Sequence, residues 1–102
     1  MSRMYIAGGM TGYPELNFPA FHREAAYFRE QGHEVINPVE VNPDPTAKWV
    51  DCMKMDIPAL LTCDTIAMMP GWERSKGASL EHYIAQALGM KVVYLVREAV
   101  PA

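Results

Sequence analysis

The sequence predicts a three-layer α/β sandwich, with a small parallel sheet in the flavodoxin-like or Rossmann-like order 2-1-3-4 and helices on both faces. Three observations predict it. Short apolar or β-branched runs alternate with amphipathic helical patterns, which implies parallel strands joined by right-handed crossovers. Runs such as Val92-Val93-Tyr94-Leu95 are apolar on both faces, as strands covered on both sides are. Two glycine-rich turns, Gly8–Gly12 and Gly71–Gly77, each follow a strand and precede a helix. In that strand order they face each other across one crevice, at the switch point between strands one and three. With 102 residues, the chain is read as one domain over 1–102.

Arg3 to Ala7 reads as the first strand, running into Gly8-Gly9-Met10-Thr11-Gly12. Three glycines in five residues permit left-handed backbone and close approach of a ligand to the main chain. The same turn also serves as a plain strand-to-helix connection, and its spacing is not the dinucleotide pattern GxGxxG. Tyr13 to Leu16 continues the loop. Asn17 is placed as the N-cap of a helix running to about Gln31, with Pro19 in its first turn, where a missing N–H costs nothing. Phe18, Phe21, Ala25 and Phe28 form its buried stripe, and Gly32 stops it.

Glu34 to Asn37 reads as the second strand, ended by Pro38. Val39 to Thr46 carries Pro43 and Pro45 and reads as a long loop, placed to act as a lid. A second helix starts near Ala47, with Trp49, Met53, Ile57, Leu60 and Leu61 at helical spacing. Pro58 either kinks it or restarts it with Asp56 as a new N-cap. Thr65 to Met69 is the third strand. Ser75 stands at the N-cap of the last helix, whose apolar positions are Leu80, Ile84, Ala87 and Leu88. Glu81, beside the core-facing Leu80, falls near the positive end of the helix dipole, which favours its ionised form. Lys91 to Val96 is the fourth strand, and Arg97 to Ala102 a short tail.

Composition narrows the partners. Nine Lys and Arg against twelve Asp and Glu leave a net charge of −3, which argues against a nucleic-acid polymer held through its phosphates. No apolar run approaches the roughly 20 residues of a membrane span, and the first residues do not form a signal-peptide pattern. Cys52 and Cys63 are expected as reduced thiols of a cytoplasmic chain. His22 and His33 lack ligand spacing, so neither a metal nor a cofactor is expected.

A crevice holding the Glu81 carboxylate, the Tyr5 phenol near the end of strand one, the two glycine turns and Trp72 suits a small polar ligand with a flat part. Glu81 as a solvated helix residue is the structural alternative; the convergence of the two turns favours a functional one. A carboxylate can attack an anomeric carbon and hold the sugar as an ester, splitting one hard displacement into two easier ones. A fixed anion also stabilises the oxocarbenium-like transition state. The leaving base needs a proton, for which Asp56 is the candidate donor, its alternative being the cap at Pro58.

The segments YIAGGMTG (5–12), Asp56 followed by ALLTCD (59–64), and GWERSKGASLE (71–81) with ALG (87–89) resemble the nucleoside 2-deoxyribosyltransferase family, including the 2′-deoxynucleoside 5′-phosphate N-hydrolases. The resemblance covers nearly the whole chain and is closest to a branch with YIAG-x-MTG and NFPAF segments. It implies a parallel α/β sandwich that cleaves or transfers the N-glycosidic bond of a (deoxy)nucleoside or its 5′-monophosphate. By motif position it makes Glu81 the nucleophile and Tyr5 the group that orients it, with Asp56 handling base or ribose and assisting proton transfer. Gly8 to Gly12 would wrap sugar or phosphate, and Ser75 would contact a phosphate; Gly71, Trp72 and Gly77 are placed at the substrate by the crevice reading, as the second glycine turn. Two departures stand out. Gly9 and Thr11 occupy the places of a serine and an arginine in the monophosphate hydrolases, leaving Arg74 or Lys76 to replace the arginine. The family's usual fifth strand has no counterpart. Because the family completes its sites near subunit contacts, a homodimer or dimer of dimers is expected, with Trp49, Met53 and Met55 of the second helix at the contact. The reading in a different class is a non-catalytic nucleotide-binding or scaffolding module on the same fold.

Overall fold

The computed structural model describes residues 2–96; the tail Arg97 to Ala102 lies outside the described residues. Four strands, β1 (Arg3–Ala7), β2 (Glu34–Ile36), β3 (Thr65–Met68) and β4 (Lys91–Tyr94), form one sheet in the order β2-β1-β3-β4. All three pairings are parallel, with Tyr5 opposite Ile36 on one side and Ile66 on the other. The predicted fold class and strand order are those observed. β4 ends at Tyr94, two residues short of the sequence expectation.

Side-chain alternation along β1 explains the layering. Met4 and Ile6 point to one face and pack with Phe21, Ala25 and Phe28 of α1 (Phe18–Glu30). Tyr5 and Ala7 point to the other, where they meet Leu60 of α3 (Trp49–Leu60) and Ala78 and Ala85 of α4 (Lys76–Ala87). Phe21 is fully buried, which alone contributes roughly 2–3 kcal/mol.

Four local expectations need correction. Asn17 precedes α1 but does not cap it: its backbone is left-handed, φ 62°, and its amide Nδ2 donates to the Gly9 carbonyl at 2.9 Å instead. The Val39–Thr46 loop begins inside a helical turn, α2 (Pro38–Val41), because Asn37 caps it through a Val39 N–H bond of 3.0 Å and Pro38 takes the first helical position. α3 runs unbroken through Asp56 to Leu60, so Pro58 does not restart it and Asp56 is no cap. Its inner stripe is Met53, Asp56 and Leu60, while Trp49 and Leu61 are exposed.

The fourth correction concerns α4. Its buried positions are Ala78, Glu81 and Ala85, whereas Leu80 and Leu88 face outward and Ala87 is exposed. Two alanines on the sheet side allow a close approach that leucines would prevent. That choice of face turns Glu81 inward.

Candidate functional site

The carboxyl ends of β1 and β3 open into a cleft of about 790 Å³, at the switch point the strand order implies. Its walls come from the turn after β1 and the start of α1, the segment 38–47 that leads from α2 to α3, the inner side of α3 as far as Asp56, the turn after β3, and the amino-terminal half of α4. Gly8, Gly9, Met10, Thr11 and Gly12 all line it, as do Gly71, Ser75 and Gly77. Gly8 and Gly77 sit where chain segments crowd together. A Cβ on Gly8 would lie 3.0 Å from that of Met69, and one on Gly77 3.2 Å from the Trp49 indole nitrogen. Ser75 caps α4 as expected, accepting from the Ala78 N–H at 3.1 Å.

At the floor of the cleft, the Tyr5 hydroxyl donates to Oε2 of Glu81 at 2.6 Å. Tyr5 is fully buried and Glu81 is 5 % exposed. Burial, with the Glu81 and Asp56 carboxylates beside it, pushes the phenol well above its usual range, so it remains a donor at every physiological pH. Glu81 is itself pushed up to about 8, chiefly by burial and further by Asp56, with the Tyr5 hydrogen bond pulling the other way. This overturns the expectation of a carboxylate favoured as the anion by the helix dipole. Glu81 is the sixth residue of α4, beyond the first turn where the dipole acts, and desolvation outweighs it.

Asp56 joins the same cleft from α3. It is 7 % exposed, and burial raises it to about 6. Its Oδ1 is buried with no hydrogen-bonding partner. A buried carboxylate oxygen without a donor is costly in its charged form, which favours the protonated acid.

Trp72 does not line the cleft. The short 3₁₀ turn Trp72–Arg74 sends its ring away from the cleft, half-buried against the core on the α4 side, stacked on His82 at 4.2 Å and tilted against Tyr94 at 6.2 Å. The indole that does line the cleft is Trp49, with the Lys76 ammonium 4.0 Å above its ring. Arg74 and Tyr13 also line it, from the turns after β3 and β1. The sequence signal for Tyr13 was its position, one residue past the glycine turn. Trp49 carried no such signal, because at helical spacing with Met53 it reads as core.

The family model described as "Domain of unknown function (DUF4406)" matches residues 2–94 of the chain. No curated protein matches it.

Proposed function

The chain belongs to the DUF4406 family, and we propose that its cleft cleaves or transfers the N-glycosidic bond of a (deoxy)nucleoside or nucleoside 5′-monophosphate. The observation that carries this reading is the buried Tyr5–Glu81 pair, 2.6 Å apart, at the floor of a cleft that also holds Asp56. Ionised Glu81 attacks the anomeric carbon, forming a carbon–oxygen bond as the bond to the base nitrogen breaks. Protonated Asp56 delivers its proton to the departing base, and Tyr5 keeps the attacking oxygen aimed. Water then resolves the ester to free sugar, or a second base accepts the sugar. Arg74 and Lys76 line the cleft beside the amino-terminal end of α4, which supports a 5′-phosphate there. Trp49 supplies the flat apolar surface first assigned to Trp72. The chemistry requires no metal, and the setting proposed is the cytoplasm, with Cys52 and Cys63 both free thiols.

A panel of deoxynucleosides and their 5′-monophosphates, assayed for free base with and without a second base, tests the reading. No base released from any member would favour a binding module. Where turnover is found, kcat/KM follows a bell with limbs near 6 and 8, because the reacting form carries a single proton on the Asp56–Glu81 pair. That proton must sit on Asp56, the more acidic of the two. Asp56→Asn should lower the rate and leave one rising limb, displaced below 8, since the Asp56 charge no longer lifts Glu81. An unchanged rate and bell would withdraw the acid role from Asp56.

We also read the outer face of α3 as a contact between copies. Val50, Met55 and Leu61 are exposed there. Trp49, Val50, Met53, Lys54, Ile57 and Pro58 form, with Leu80 of α4, a largely apolar groove of about 350 Å³. Met53, expected at the contact with Trp49 and Met55, is buried on the inner stripe of α3 and reaches only the floor of this groove. Largely apolar helix faces suit closed dimers. Sedimentation at micromolar concentration should give a dimer or tetramer, and a clean 11.4 kDa monomer would end the proposal.

No helix among the described residues is long and apolar enough to cross a membrane.

A further inference from the structure

We infer that Tyr13 is a positioning residue of the cleft: its side chain latches the Gly8–Gly12 turn to the Gly71 turn across the crevice, holding both walls in register before a ligand arrives. Its effect on turnover rests on the reading of Glu81 as nucleophile, whereas the latch is a property of contacts alone.

A Cβ placed on Gly9 would lie 2.7 Å from Cε2 of Tyr13, and one on Gly71 would lie 2.9 Å from the Tyr13 hydroxyl. One side chain therefore reaches both turns. Gly9, unlike Gly71 with φ 86°, has no left-handed backbone to require glycine. The ring of Tyr13 is what excludes a side chain at position 9. The Arg74 guanidinium approaches the same point on Gly71, 3.0 Å from its Cβ position, so phenol and guanidinium both lie beside Gly71 at one edge of the cleft.

The segment after Tyr13 is wound so as to press it there. Glu15, Leu16 and Asn17 are three consecutive non-glycine residues with left-handed backbone, at φ 53°, 53° and 62°. Such a run persists only where its surroundings over-determine it. Here the Asn17 amide holds the Gly9 carbonyl at 2.9 Å, the Tyr13 N–H reaches the Met10 carbonyl at 3.1 Å, and the Leu16 N–H reaches the Tyr13 carbonyl at 3.0 Å. The turn that lines the cleft and the turn that carries the strain are thus tied at Gly9.

Residue-resolved hydrogen exchange on the ligand-free protein tests the latch. In Tyr13→Ala, the hydrogen-bonded amides of the two turns, that of position 13 in the first and those of Trp72, Arg74 and Ser75 in the second, should exchange at least about tenfold faster, with those of β1 and β3 unchanged. Gly9→Ala should reproduce this by displacing the ring, yet add less than about twofold in the Tyr13→Ala background, where nothing is left to displace. Unchanged exchange at 71–75 in Tyr13→Ala overturns the latch. Should that variant fail to fold, Gly9→Ala and Tyr13→Phe carry the same comparison. With thymidine and thymidine 5′-monophosphate as probes of turnover, Tyr13→Ala should raise KM at least about tenfold and leave kcat within about threefold. A matching loss in kcat would overturn the positioning role by placing Tyr13 in the chemistry. If the unaltered protein releases no base from any nucleoside, the glycosidic reading falls, and the exchange result alone decides the latch.

Discussion

Glu81→Ala turns over a nucleoside or nucleotide at no more than roughly a thousandth of the unaltered rate, because a covalent nucleophile has no substitute in the same position. The geometry makes this specific. Only Glu81 receives the Tyr5 hydroxyl, which holds its carboxylate in place, and Asp56 enters the cleft from a different helix, α3. Asp56 is the other buried carboxylate of the cleft among the described residues. Release of free base, followed by chromatography over hours, is the measurement. A loss smaller than about tenfold would take the nucleophilic role from Glu81 and leave Asp56 to be tested for it.

Glu81→Gln, by contrast, should make the protein more stable, and increasingly so as the pH rises. Below pH 4.5, folded and unfolded chains both carry the proton on Glu81, and its ionisation contributes nothing. Between there and about 8 only the folded chain keeps it, so folding loses about 1.4 kcal/mol per pH unit. Above that range the penalty stays constant, on the order of 5 kcal/mol, a large part of the stability of a domain this size. Glutamine removes the charge while leaving an oxygen for the Tyr5 hydroxyl. Its melting temperature should exceed that of the unaltered protein by roughly 10 °C or more at pH 8, and by little at pH 5. An equal shift at both pH values, or a loss at pH 8, would show that burial of the Glu81 charge does not set this cost. Together the two experiments ask whether the residue that performs the chemistry is also the one that weakens the fold.

The architecture was legible because its determinants are local. Strand β1 ends in glycines, β3 ends before Pro70-Gly71, and both strands are apolar on each face, so the order of the sheet and the meeting of the two turns follow from pattern alone. The floor of the cleft was legible only in part. Tyr5, Glu81, Asp56 and Ser75 are brought together as expected, but the protonation preference of Glu81 was read the wrong way round, since a sequence displays a helix dipole and does not display desolvation. Hydropathy also chose the wrong face of α4, favouring Leu80 and Leu88 where the interior took Ala78 and Ala85. For Asp56 the sequence leaves a proton donor and a cap at Pro58 both open, and the unbroken α3 removes the cap. Trp72 was credited with a ligand because it sits in a glycine turn, although a short 3₁₀ turn carries its ring to His82. Asn17 has the composition of a cap and spends its amide on Gly9, a long-range partner no local rule anticipates.

The two alanines of α4 have a consequence for how this chain tolerates change. Ala85 is fully buried and lies against the same cluster as Tyr5, Ile66 and Met68. An added methyl there would lever the helix off the sheet, and the Tyr5–Glu81 contact, set by the separation of those two layers, would open with it. Variation at Tyr83 and Leu88, large, exposed and outside both the cleft and the groove on α3, carries no such effect. The residues most restricted by the reaction therefore include one with no reactive group, while two of the bulkiest apolar positions of the helix are free to drift.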